Sequence, residues 1–226
     1  MQPYFIPYIG YWQLLSEVDV FVIANDTKYT KQSWINRNRL ILNNIVSYST
    51  LPLKGASDFA LICERQISNT FNFEKEIKKI SQAYSVDRSS SHSELLWDIY
   101  SNPTRSLDLF LKESILRICE FLKIETATYL ATEFKIPKSL MKADRIFYLG
   151  DVLGIRRYVN LPGGRNLYSK KEFDQHSMSI QFIEPKLLPY SNERGDMPSN
   201  LSILHLILTS VNDGDLATHL RNYNVD

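Results

Sequence analysis

Two prolines four residues apart, set in an aromatic-rich opening, constrain this chain more than any other feature. The first fifteen residues, Met1-Gln-Pro-Tyr-Phe-Ile-Pro-Tyr-Ile-Gly-Tyr-Trp-Gln-Leu-Leu15, place Pro3 and Pro7 among Tyr4, Phe5, Tyr8, Tyr11 and Trp12. Proline has no amide donor and clashes inside a helix, so residues 2–7 form neither a regular helix nor a central strand. The segment must run as an extended or turning loop. So much aromatic surface gains nothing by facing water, which predicts a loop folded inward with its tyrosine hydroxyls seeking partners or a ligand. Residues 11–16 then read as a short helix. A rigid aromatic loop leading into a helix suits the wall of a binding site, and equally a plug over the core.

The next stretch supplies the polar half of the same unit. Residues 18–24 are a nearly continuous apolar run, as in a strand buried on both faces, and they end in the turn formers Asn25-Asp26. Residues 31–39, Lys-Gln-Ser-Trp-Ile-Asn-Arg-Asn-Arg, follow. Arginine offers a planar five-donor fork and asparagine a paired donor and acceptor, the groups that phosphate, carboxylate or amide recognition requires. Asp26, Lys31, Trp34, Asn36, Arg37 and Asn38 form the best polar cluster of the chain. The alternative is a loop pinned by its own hydrogen bonds.

Periodicity divides the remainder into three parts. Residues 39–43 and 45–53 read as a hairpin around Asn43-Asn44, and residues 60–67 as a strand or short helix, completing an α/β unit over 1–68. Residues 69–136 change character. Helices are expected at 74–84, 95–100 and 106–122, with Asn102-Pro103-Thr104 opening the last and the serine-rich 85–93 as a mobile loop. Residues 137–226 return to α/β, with a helix at 142–153 stopped by Gly154 and a strand at 157–160. A tight loop at 161–164, a helix at 169–176 and a strand at 179–183 follow, which favours parallel pairing through a crossover. An irregular arm over 185–198 and an apolar helix over 200–211 finish this reading. The expected fold is α/β: a mostly parallel sheet flanked by helices, with a helical insertion in the middle of one domain spanning 1–226.

Composition excludes several functions. A net charge of +1 gives no field for nucleic acid or an anionic membrane, so anion recognition has to be local. The two cysteines, Cys63 and Cys119, lie among apolar neighbours and read as reduced core thiols of a cytoplasmic protein. No apolar run approaches the ~20 residues of a membrane span, and the proline-containing opening lacks the basic start of a signal peptide. His92, His176, His205 and His219 show no metal-ligand spacing, and no metal is expected. There is no Gly-x-Gly-x-x-Gly and no Walker motif.

Residues 2–13, Trp34-Ile-Asn-Arg-Asn38, Asp144-Arg-Ile146, Tyr158-Val-Asn-Leu-Pro-Gly-Gly164, Leu167-Tyr168 and Leu201-Ser-Ile203 together resemble the WbqC-like proteins. Relatives commonly carry an aspartate where Asn25 stands, a glycine at Ser33 and an aspartate at His205. They also often have a short apolar strand ahead of the motif that opens this chain. The resemblance implies bacterial O-antigen or other surface-polysaccharide biosynthesis, with transfer of an aminoacyl (glycine-like) or acyl group to an amino sugar or nucleotide-linked sugar. It implies an activated acyl donor, coenzyme A or a carrier-protein thioester, rather than a tightly bound cofactor. The partners are then a small-molecule sugar and an acyl-carrier protein.

In that chemistry Asp26 serves as base or orienter, while Asn36, Asn38 and the Gly163-Gly164 backbone offer amide donors. Arg37 and Arg145 grip a diphosphate, and Tyr4, Tyr8 and Tyr11 wall the sugar. Gln2, Lys31, Trp34, Asn160 and Tyr168 complete the expected binding set, with Tyr168 favoured as a support. The loops at the opening, at 34–38 and at 160–164 are expected to line one concave site. The rival from another class is a non-catalytic binding or scaffold protein. Nucleotidyl transfer is a third reading, one that lacks its histidine and glycine motifs.

Overall fold

The computed structural model describes every residue except 187–189, 193, 194, 199, 211 and 212. In the opening half, helix α1 (Ile9–Glu17) leads into β1 (Val20–Ile23), then into the strands β2 (Arg37–Leu42) and β3 (Ile45–Thr50). Helices α2 (Phe73–Ala83), α3 (Ser91–Tyr100) and α4 (Leu107–Leu122) precede β4 (Ala127–Leu130). The second half runs α5 (Lys142–Leu153), β5 (Arg157–Asn160), α6 (Lys170–Gln175) and β6 (Ser179–Pro185). The short β7 (Tyr190–Asn192) and β8 (Gly195–Met197), helices α7 (Ile203–Thr209) and α8 (Asp213–Arg221), and β9 (Tyr223–Val225) finish it.

The apolar run after the opening does become a strand, and its partner comes from the middle of the chain. β1 and β4 pair in parallel, Val20 opposite Ala127 and Ile23 opposite Leu130. The segment expected as a helical subdomain or insertion over 69–136 therefore supplies β4 itself and, with the β2–β3 hairpin before it, the long crossover that parallel pairing demands. β5 and β6 are likewise parallel, joined through α6. The α/β class holds, but the parallel strands do not merge into one sheet. β2 and β3 form a separate antiparallel hairpin whose turn residues, Asn43 and Asn44, both take positive φ (53° and 61°) as expected. β9 closes on β6 in antiparallel fashion, and β7 pairs with β8. Among the described residues parallel and antiparallel pairs are thus mixed across four small sheets. Within the expected irregular arm, the described residues form the β7–β8 pair, while its positions 187–189, 193 and 194 lie outside the described residues.

Local signals explain most boundaries. Asn72 and Ser90 cap α2 and α3 through their side chains, and Gly154 ends α5 at φ 68°. The start expected at Asn102-Pro103-Thr104 is displaced, because Asn102 Oδ1 accepts from the Thr104 amide in a local turn and α4 begins after Ser106. The serine-rich stretch is shorter as a loop than expected, since α3 takes in its last three residues.

The aromatic opening is folded inward. Phe5, Tyr11 and Trp12 belong to the main core with residues of α3, α4 and α7, and Tyr11 and Trp12 are completely buried. A buried loop must satisfy its backbone elsewhere. Asn38 Nδ2 donates to the carbonyls of Phe5 (3.0 Å) and Ile6 (2.8 Å), and Ser202 Oγ donates to Ile6 (2.7 Å). The Pro7 carbonyl accepts from Trp12 Nε1 and from the Ile203 amide. These bonds hold Ile6 at φ 44°, a left-handed conformation costly for a β-branched residue. A second, smaller core of Ala143, Phe147, Phe173 and Met178 lies under α5 and α6.

Candidate functional site

Stapling the opening to β2 leaves a groove between them. Tyr4, Pro7, Tyr8, Trp34, Asn38 and Asn200 line a cavity of about 320 Å³, at the small end of the ~300–1,000 Å³ typical of small-molecule sites. Tyr8 is fixed by close packing on Gly10, where an added Cβ would meet its ring at 2.6 Å. Burial pushes the phenols of Tyr4 and Tyr8 above their ordinary value, so both remain protonated hydroxyls. Trp34 stacks on Tyr48 (6.3 Å between ring centres, 27° between planes). Arginines sandwich the two rings: Arg39 lies 5.1 Å from the Trp34 ring and Arg37 lies 4.7 Å from the Tyr48 ring. Arg39 also donates to Asn200.

The remaining expected site residues fall into other places. Tyr11 is core, its hydroxyl donating to the Gln2 carbonyl at 3.4 Å, and burial drives it well above the usual phenol range. Asn36 and Asn38 are buried and engaged. Asn36 Nδ2 donates to the Leu51 carbonyl and Asn36 Oδ1 accepts from the Tyr29 hydroxyl, each at 2.8 Å, while Asn38 staples the opening. These amides act as struts, Asn38 from the wall of the groove itself. Lys31 is exposed and pairs with Asp58 at 2.6 Å.

Asp26 and Arg145 face each other rather than a ligand. Arg145 donates to both carboxylate oxygens of Asp26, at 2.8 and 2.6 Å. They stand where β1 and β4 end, the edge at which α/β sheets usually place function. Here the space is filled by a closed polar network. Asn25, completely buried, donates to Asp108 Oδ2 (2.8 Å) and Thr132 Oγ1 (3.1 Å) and accepts from the Thr132 amide (3.2 Å). Ser106 Oγ holds the other Asp108 oxygen at 2.6 Å, and Gln2 Nε2 donates to Thr27 at 3.3 Å. Arg145 is therefore paired with Asp26 at this edge.

The loop after β5 is tight for its own reason. The Asn160 amide nitrogen lies 2.4 Å from where a Cβ on Gly164 would stand, while Gly163 faces open space. Asn160 Oδ1 accepts from the Leu161 amide at 2.8 Å, and Pro162–Leu167 form a 3-10 turn. Tyr168 packs on Tyr158 and Phe173 in the smaller core, the supporting role favoured above. None of these residues lines the aromatic groove. Arg39, Tyr48 and Asn200 escaped the sequence reading. Arg39 lay in the basic string, and strand alternation puts it on the face shared by Arg37 and, across the hairpin, Tyr48.

Among the described residues no group of three or more His, Cys, Asp or Glu is arranged to hold a metal ion, and no helix is long and apolar enough to cross a membrane. The profile of the WbqC-like protein family matches residues 2–214. The chain belongs to this family. It is also similar to the uncharacterized protein Rv1507c of Mycobacterium tuberculosis (strain ATCC 25618 / H37Rv), with 26% identity over 211 residues that cover 92% of this chain and 90% of the relative. No solved structure matches it significantly. The family match spans both the groove and the closed Asn25–Arg145 network.

Proposed function

We propose that this WbqC-like protein binds a nucleotide-linked amino sugar in the aromatic groove and transfers an aminoacyl or acyl group to it, in the cytoplasmic stage of bacterial surface-polysaccharide biosynthesis. The groove carries the reading. Sugar rings present apolar C–H faces that stack on aromatic side chains, and hydroxyls that pair with phenol and amide groups. Tyr4, Tyr8, Trp34 and Asn200 offer both kinds of surface in a space fit for one ring. In the reaction the sugar amine attacks the carbonyl of a coenzyme A or carrier-protein thioester. The C–N bond forms, the C–S bond breaks, and the thiol leaves with the proton lost by the amine. Holding the two reactants together is the protein's main contribution to such a step.

One observation favours a second reading. None of the six lining residues carries a carboxylate, imidazole or thiol to take up that proton, which suits a protein that binds the sugar without reacting. Calorimetry with a nucleotide-linked amino sugar, followed by mass spectrometry after adding an acyl thioester, separates the two. We expect binding that weakens about tenfold or more in Trp34→Ala, from loss of a stacking face, and an N-acylated product. Binding without product supports the second reading, and undiminished binding by Trp34→Ala removes the groove from both.

A further inference from the structure

A different face is built where residues 27–31 run antiparallel to residues 58–62. The Tyr29 amide donates to the Ala60 carbonyl at 3.0 Å, the Ile62 amide donates to Thr27 at 2.9 Å, and Lys28 bridges Leu61. This pairing brings Lys28 and Lys31 beside Phe59 and Asp58. The 3-10 turn Ile62–Glu64 then sends Arg65 back over Tyr29, its guanidinium carbon 4.6 Å from the ring centre.

Arg65 is only 7% exposed. Its Nε is buried with no hydrogen-bond partner, and among the described residues its side chain makes no ion pair. A buried guanidinium is normally paired with a carboxylate, whereas this one rests on the face of Tyr29. Its neighbours supply more positive charge. Lys28 lies 4.7 Å from the Phe59 ring and Lys31 is 2.6 Å from Asp58, while Arg37, next in sequence to the Asn36 that holds the Tyr29 hydroxyl, donates to the Gln32 carbonyl. Burial raises the Tyr29 phenol, and the charges of Arg65, Arg37 and Lys31 pull it back down. Against these stands the carboxylate of Asp58, exposed and already bound to Lys31.

We propose that Arg65, with Tyr29, Lys28, Lys31 and Arg37, forms a binding site for a phosphoryl group. Four cations suit a multiply charged oxyanion better than a single carboxylate. The arginine forks provide directed pairs of donors, and the lysines provide mobile point charges at the rim. Arg37 links this site to the groove, because it also stacks on Tyr48 beside Trp34. The site stands independently of the transferase reading, which it uses only to name the source of the phosphoryl group: the diphosphate of a nucleotide-linked sugar or the phosphates of coenzyme A.

The test is a thermal-shift and calorimetric titration of the full chain with pyrophosphate, a nucleotide-linked amino sugar and coenzyme A, using wild type, Arg65→Met, Lys31→Met and Trp34→Ala. Pyrophosphate should raise the wild-type Tm, as should whichever larger ligand is the natural source. Arg65→Met should bind pyrophosphate at least tenfold more weakly and Lys31→Met several-fold more weakly, while Trp34→Ala should bind it as wild type does. No response to any of the three ligands overturns the site, as does equal affinity in Arg65→Met. If Arg65→Met does not fold, unchanged affinity in Lys31→Met overturns it instead. Pyrophosphate binding with no response to either larger ligand upholds the site and removes the transferase reading.

Discussion

At the ends of β1 and β4, Asn25, Asp26, Asp108 and Arg145 all have polar partners, whereas over Tyr29 the buried Arg65 makes no hydrogen bond or ion pair among the described residues. The two regions lie close in sequence, and both were read as site material for the same reason: acids, asparagines and arginines just beyond a strand. Their bonding separates them. A network in which Asn25, Asp26, Asp108 and Arg145 bind one another and their neighbours fixes the meeting of β1, α4 and β4. The Arg65 guanidinium rests on the Tyr29 ring without a hydrogen bond or ion pair among the described residues, which leaves its donors for the proposed anion.

The sharpest way to break the paired side is Asn25→Asp, which turns a donor to Asp108 into a second carboxylate at the same distance. At neutral pH we expect a loss of roughly 3 kcal/mol in urea denaturation, from buried like charges and a lost hydrogen bond. The deficit should shrink as acid protonates one of the pair. A loss below about 0.5 kcal/mol would mean that the network is not a strut.

A gentler break comes from pH. Tyr84 is hydrogen-bonded to His205 Nδ1 at 3.0 Å and accepts from the Ile41 amide, tying α7 to the hairpin. Burial pushes the His205 imidazole down to about 4 from an ordinary value of 6.5. The unfolded chain therefore binds this proton first. The stability it contributes is complete above about pH 6.5 and is lost as pH falls towards 4, on the order of 2–3 kcal/mol in all. His205→Gln should flatten that part of the stability–pH curve, and a curve unchanged by the substitution would assign the acid sensitivity to other groups.

How much could be read beforehand follows from the range of each signal. The inward aromatic opening, the Asn43-Asn44 hairpin, α5 with its Gly154 stop and β5 were all legible, because two prolines, a turn pair, a glycine and short apolar periods act locally. The β1–β4 pairing was not, since nothing in residues 127–130 says which distant strand they will join. The groove was half legible. Tyr4, Tyr8 and Trp34 were expected, but Asn200 reaches it only through the tertiary contact of its segment with β2. Arg65 was invisible, because an arginine between Glu64 and Gln66 looks like any solvated charge until its burial over Tyr29 is known.

The most direct measurement compares two arginine deletions in the ligand-free protein. Methionine keeps most of the apolar stem and removes the charge, so Arg65→Met and Arg145→Met differ mainly in what each charge was doing. Arg145→Met abandons Asp26, whose side chain is 19% exposed, and should lower stability by roughly 1–3 kcal/mol in urea denaturation. Arg65→Met removes a cation that has a ring contact but no ion pair among the described residues, and should leave stability unchanged or raise it, the usual exchange of stability for a binding site. A ligand-free Arg65→Met protein that loses as much stability as Arg145→Met would contradict the account, making Arg65 one more strut.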